Sequence, residues 1–255
     1  MKRFGIAGAF LLLMPFAGAL GQEDTPPVQS VAEQFLLSAA NADRVAHGLA
    51  PVRVDGRLVR AAALHARQMA AHGAISHQFP GEAELAERAS SAGTHFSLVT
   101  ENVAESADPS NIHELWMHSA GHRANLLDPQ VDSVGIAVVA RDGQFYAVED
   151  FARTVRSLTL EQQESAVAQL IEGAGITVSA TTDEARKACA LSSGYDGVRK
   201  PLFVMRYSTS DLSRLPEQLR TRMASGKYHE AVVGACELSQ ATPFSGYAVA
   251  VMLYR

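Results

Sequence analysis

Apolar positions recur at helical spacing through VAEQFLLSAANADRVAHG, which begins at Val31 and stops at Gly48. A Pro turn follows, and Asp55 then stands where it can cap an Ala-rich helix ending at Gly73. AISHQFPGEAELAERASSAG carries a Pro-Gly turn and a short helical stretch, and THFSLVTENVAES reads as loop or extended chain. SNIHELWMHSAGHRANLL returns to helical spacing, with a break expected at Gly121 or a new helix capped by Ser119. VGIAVVARDGQFYAVEDFAR predicts two strands around Arg141-Asp142-Gly143, since Asp-Gly supplies the positive φ angles of a tight hairpin. Helices first and a hairpin last give an α+β layer arrangement.

From Ser157 the pattern restarts. LEQQESAVAQLIEGAG predicts a helix with a Gly stop, and PLFVMRYSTSD and SGYAVAVMLYR predict strands. LSRLPEQLRTRMASGKYHEAVVGAC, between them, reads as a helix plus a turn. The chain is thus expected to carry a first domain over 31–155 and a smaller α+β domain over 156–255. No internal repeat and no low-complexity tract is legible.

The ends and the composition place the chain. Lys2 and Arg3 precede an apolar run from Phe4 to Phe16, and small residues follow up to Gly21. That is the layout of a secretory signal peptide over 1–21, with 22–30 as a polar, proline-bearing linker. The apolar run is shorter than the about 20 residues of a bilayer span, so no membrane span is expected in the mature chain. The expected destination is outside the cytoplasm: periplasm, cell surface or medium. Without Lys2 and Arg3, 20 basic residues face 27 acidic ones, a balance that argues against nucleic acid as a partner. In an exported chain the two cysteines, Cys189 and Cys236, are candidates for a disulfide, the alternative being two buried thiols.

Histidines supply the candidate chemistry. HELWMH, His113 to His118, has one residue too many for a zincin helix: an i, i+5 pair lies about 140° apart around the axis and cannot share an ion. His118 and His122 do have i, i+4 spacing, but Ser119 and Gly121 weaken the helix between them. Ser192, Ser193 and His229 in the tail lack the G-x-S-x-G elbow of a hydrolase.

Several pieces taken together carry a resemblance. They are N-A-D-R (Asn41 to Arg44), G-L-A-P-V-R-V-D (Gly48 to Asp55), the helix with Leu64, His65 and Met69, I-S-H (Ile75 to His77) and E-N-V-A (Glu101 to Ala104). W-M-H-S-A-G-H-R-A-N-L-L, V-G-I-A-V (Val134 to Val138) and FYAVEDF (Phe145 to Phe151) complete the series. In order and spacing they resemble the CAP superfamily (cysteine-rich secretory proteins, antigen 5 and pathogenesis-related proteins of group one), in its cysteine-poor bacterial branch. The resemblance implies an α/β/α sandwich with an open cleft. It also implies that His77, Glu101 and His122 line that cleft and can hold zinc or another divalent cation, with His118 and Glu149 as possible additional cleft residues. Two positions depart from the family's pattern: Ser119 replaces a carboxylate after the tryptophan, and the last strand lacks a histidine. The function so implied is a non-catalytic binding module for a divalent ion, a small lipid or another envelope-derived ligand. The competing expectation is a metal-assisted hydrolase of peptidase type, in which Glu101 or Glu149 activates a water.

Overall fold

The computed structural model describes residues 28–238 and 243–255. The signal peptide and most of the linker read from the sequence lie outside the described residues.

Two four-stranded mixed sheets follow one another along the chain. The first is built from α1 (Val31–Ala46), β1 (Arg53–Val54), α2 (Gly56–His72), α3 (Leu85–Ser91), β2 (Phe96–Ser106), α4 (Ile112–His118), α5 (Ala120–Leu126), β3 (Ser133–Arg141) and β4 (Gln144–Thr154). Its strand order is β1-β3-β4-β2, with β1 parallel to β3 and the other pairs antiparallel. One face packs Val103, Ala137 and Val148 against Ala62, Ala66 and Met69 of α2. The opposite face packs Val134, Ile136, Ala147 and Phe151 against Leu36, Ala40, Trp116 and Leu126 of α1, α4 and α5. The result is the α/β/α sandwich.

Local chemistry accounts for the element ends. Ser30 and Glu33 form a reciprocal capping box on α1. Asp55 accepts from the amides of Arg57 and Leu58, and Gly73 closes α2 in the left-handed region at φ 61°. The Asp142-Gly143 turn has φ of 51° and 78°, as a two-residue hairpin between β3 and β4 requires. The helix break falls at Ser119, whose backbone is extended at φ −98° and ψ 120°, rather than at Gly121, and Ser119 caps α5 without a side-chain hydrogen bond. Arg44 is almost fully buried and donates to the carbonyls of Ala50, Leu126, Asp128 and Val131. It satisfies acceptors that a loop at that depth would otherwise leave bare.

The second sheet follows α6 (Leu160–Gly173) and contains β5 (Thr177–Ser179), α7 (Asp183–Ala190), β6 (Phe203–Thr209), α8 (Glu217–Met223), β7 (Glu230–Cys236) and β8 (Tyr247–Tyr254). Ala231, Val233, Val249 and Val251 pack under α6 and α8, while Val232, Ala250 and Met252 pack under α7. Of the two alternatives for THFSLVTENVAES, loop or extended chain, the second holds: Phe96–Ser106 is the eleven-residue β2. One sequence reading needs correction: EAVVGAC is no turn but the interior strand β7. Covered on both faces, β7 shows a continuous apolar run instead of alternation, which hides a strand from a period-2 search. Cys189 and Cys236 form a disulfide that joins α7 to β7.

The two sheet regions touch. The Ser245 amide donates to the carbonyl of Phe96 at 2.7 Å, and the Phe244 ring meets the Phe96 ring edge-on. No helix among the described residues is long and apolar enough to cross a membrane.

Candidate functional site

β2 is an edge strand of the first sheet, and the site straddles that edge. Glu101 points to the α2 face and Asn102 to the opposite one, because neighbouring strand residues alternate. The segment between α2 and α3 brings His77 up from the first side. That segment is held by the Phe79 ring stacked on His72 at 4.1 Å, and by Glu82, whose carboxylate takes the amide of Phe79 and faces the buried His65 at 2.7 Å.

His77 Nδ1 lies 2.8 Å from Glu101 Oε1. The imidazole is 62 % exposed and the carboxylate 2 %, so a buried anion orients a ring that reaches solvent. Behind Glu101, Arg88 of α3 donates to its other oxygen and also to the carbonyls of His77 and Ala83. His65 Nε2 stands 3.7 Å from the same carboxylate oxygen. The hydrogen bond to Glu101 holds the His77 pKa above its ordinary value.

From the second side comes α5. Asn125 donates to the Glu101 carbonyl at 3.1 Å and to Asn102 Oδ1 at 3.0 Å, and Asn102 in turn donates to the His122 carbonyl at 3.1 Å. These bonds seat His122 at the β2 edge. Partial burial first, and then the charge of His77, lower the His122 pKa. The two imidazoles therefore lie within electrostatic reach of each other.

His118 and Glu149 lie elsewhere. His118 is on the exposed surface and turns back to Glu114 of its own helix. Glu149 shares the face of Asn102, is fully buried, and has no hydrogen-bond partner of good geometry for either oxygen among the described residues. Burial pushes it up to about 8, and the nearby Asn102 amide opposes this only in part. Sequence reasoning missed Arg88 and Asp150. Asp150 pairs across the strands with Glu101 and is also fully buried. Burial first, then the charge of Glu101, raise its pKa well above the ordinary carboxylate range, while Arg88 opposes the shift. A carboxylate inside the apolar run FYAVEDF was the available signal, because an isolated buried charge is expensive without a partner.

No group of three His, Cys, Asp or Glu side chains among the described residues stands ready to hold a metal ion. Both oxygens of Glu101 are engaged by His77 and Arg88, which leaves the outer nitrogen of His77 and the ring of His122 as the free donors.

Residues 37–151 match the model of the cysteine-rich secretory protein family, CAP, which places a CAP domain in the first sheet region. Among curated proteins, the chain is 29 % identical over 115 residues to the uncharacterized protein YkwD of Bacillus subtilis, covering 45 % of each chain. It is 29 % identical over 129 residues to the uncharacterized membrane protein YlbC of the same organism, covering 50 % of this chain and 36 % of that one. The chain thus spans less than half the length of the curated relatives it matches. Among solved structures, an extracellular protein containing an SCP domain from Bacillus anthracis is 26 % identical with a TM-score of 0.44, covering 48 % of this chain and 40 % of that one.

Proposed function

We propose that this chain is an exported, non-catalytic binding module whose CAP cleft holds a divalent cation, zinc by preference, between the outer nitrogen of His77 and the ring of His122. The observation that carries the reading is the 2.8 Å contact of His77 Nδ1 with the buried Glu101. A ligating imidazole commonly gives its other nitrogen to a carboxylate, which fixes the tautomer and the ring plane. Glu101 is then the orienting group and Arg88 its counter-charge. When bound, the cation offers a Lewis-acidic point to which an anionic or carbonyl-bearing envelope ligand attaches. The lining of imidazole, carboxylate and guanidinium favours an ion over a lipid at this place. A hollow of 610 Å³, lined by Leu170, Leu215 and Met223 together with Arg214 and Arg220, belongs instead to the second sheet region.

The hydrolase reading has less support. It needs a free carboxylate to act on water, and Glu101 is doubly engaged while Glu149 is sealed in the core. Export is supported by the signal-like first 21 residues and by the disulfide, which persists in oxidising compartments.

The test is thermal unfolding of the mature protein with added zinc. Binding to the native state raises Tm, and His77→Ala and His122→Ala should each abolish the rise. Turnover of peptides or cell-wall material that vanishes in His77→Ala would replace the binding module by the enzyme.

A further inference from the structure

We infer that the region after Ser157 is a second copy of the same fold, with an arginine in the place of Glu101 and a disulfide in its core. The first region runs α-β-α-β-α-β-β when the helices between successive strands are counted as one layer element, and so does the second. The strand orders correspond place for place: β1-β3-β4-β2 and β5-β7-β8-β6. So do the directions. The first pair in each order is parallel and the other two are antiparallel.

Topology alone could arise twice, but the fine register agrees as well. Each sheet has one glycine pressed against the backbone of the helix that follows its first strand. A Cβ at Gly135 would come within 2.1 Å of the Leu58 carbonyl carbon, and one at Gly234 within 2.2 Å of the Ala185 carbonyl oxygen. Leu58 is the third residue of α2, counted from Gly56, and Ala185 the third of α7, counted from Asp183. Each helix is capped by the residue before it, Asp55 in one case and Thr182 in the other. The Asp55 amide donates to the Val134 carbonyl, and the Thr181 hydroxyl to the Val233 carbonyl, in both cases the residue before the glycine.

These anchors fix residue equivalences across the sheets. Gly135 pairs with Asp150, which pairs with Glu101; Gly234 pairs with Ala250, which pairs with Arg206. Arg206 therefore occupies the place of Glu101. Its guanidinium donates to the carbonyls of Ala188 and Gly194, tying down the segment after α7 where the first copy presents His77. Counted from the same anchors, Cys189 and Cys236 fall on Ala62 and Ala137, both buried in the core under α2. The second copy has thus replaced the acid-backed cleft by an arginine brace and cross-linked the core beside it. The contrast of clefts rests on the proposed cation site; the duplication of the fold does not.

The equivalence makes a placement testable. Ala62→Cys with Ala137→Cys, introduced into the full mature chain, should oxidise to an intramolecular bridge beside the native one. The folded protein would then show no titratable thiols. Two free thiols in a folded variant would overturn the repeat. Should that variant not fold, NMR of the unmodified chain decides. The repeat requires close contacts of Gly135 Hα with the Val59 amide and of Gly234 Hα with the Arg186 amide. Absence of the second contact would contradict it. Neither measurement depends on zinc.

Discussion

The two halves of this chain solve one packing problem with different core chemistry. In the first sheet, β2 and β4 carry Glu101, Asn102, Glu149 and Asp150 at matched positions in the middle of the ladder. In the second, the places of Glu149 and Asp150 are taken by Val249 and Ala250, and that of Glu101 by Arg206, satisfied by two carbonyls. The first half tolerates buried acids beside a solvent-reaching imidazole, and the second closes the same place with an arginine brace and adds a covalent bond in the core. Buried ionisable groups that weaken a core are expected where they serve a site, and the halves differ most at the proposed cleft.

The largest expected effect concerns the covalent bond. Its loop of 47 residues constrains the unfolded chain, and Cys236→Ala paired with Cys189→Ala should destabilise the second half by about 4 kcal/mol in the chain-entropy picture. Trp116, the one tryptophan, is fully buried in the first half and reports on that half separately. Urea unfolding followed by tryptophan fluorescence should shift less than unfolding followed by circular dichroism. Equal shifts would show that the halves unfold as one unit.

Next come the matched glycines. Gly135→Ala and Gly234→Ala each force a methyl group into helix backbone, and each should cost roughly 3 kcal/mol or more. Similar losses sharpen the comparison, whereas a tolerated Gly234→Ala would break it.

A smaller effect separates the cores by pH. Glu149 titrates near 8 when folded against an ordinary 4.5, so between those values the native state holds a proton that the unfolded state has released. Stability then falls as pH rises, by about 1.4 kcal/mol per unit. The term is absent below about 4.5 and complete above about 8. From pH 6 to pH 8 the loss is roughly 2 kcal/mol, and Glu149→Gln should flatten the slope. An unchanged slope in equilibrium unfolding at the two pH values would assign it to other groups, Asp150 first.

The sequence disclosed what backbone chemistry writes locally. Asp55 and Gly73 bracketed α2, Asp142-Gly143 marked the hairpin, and the family motifs pointed to His77 with Glu101. It hid what depends on surroundings. β2 presents Thr100, Glu101 and Asn102 in succession, which leaves loop and extended chain both open, although Arg88 and Asn125 of α5 partner the Glu101 and Asn102 side chains in three dimensions. Arg88 itself looks like a solvent-facing helix residue until α3 is packed. The repeat was invisible because the spacing between equivalent residues changes from element to element. Its signature lies in a backbone approach at Gly135 and Gly234, not in shared side chains.

The decisive measurement is the number of zinc ions retained per mature chain after dialysis, by elemental analysis, for the unmodified protein and for His77→Ala. One open and one plugged cleft predict a single ion, lost in the variant. Two ions per chain, or one that survives removal of the His77 imidazole, would contradict the account.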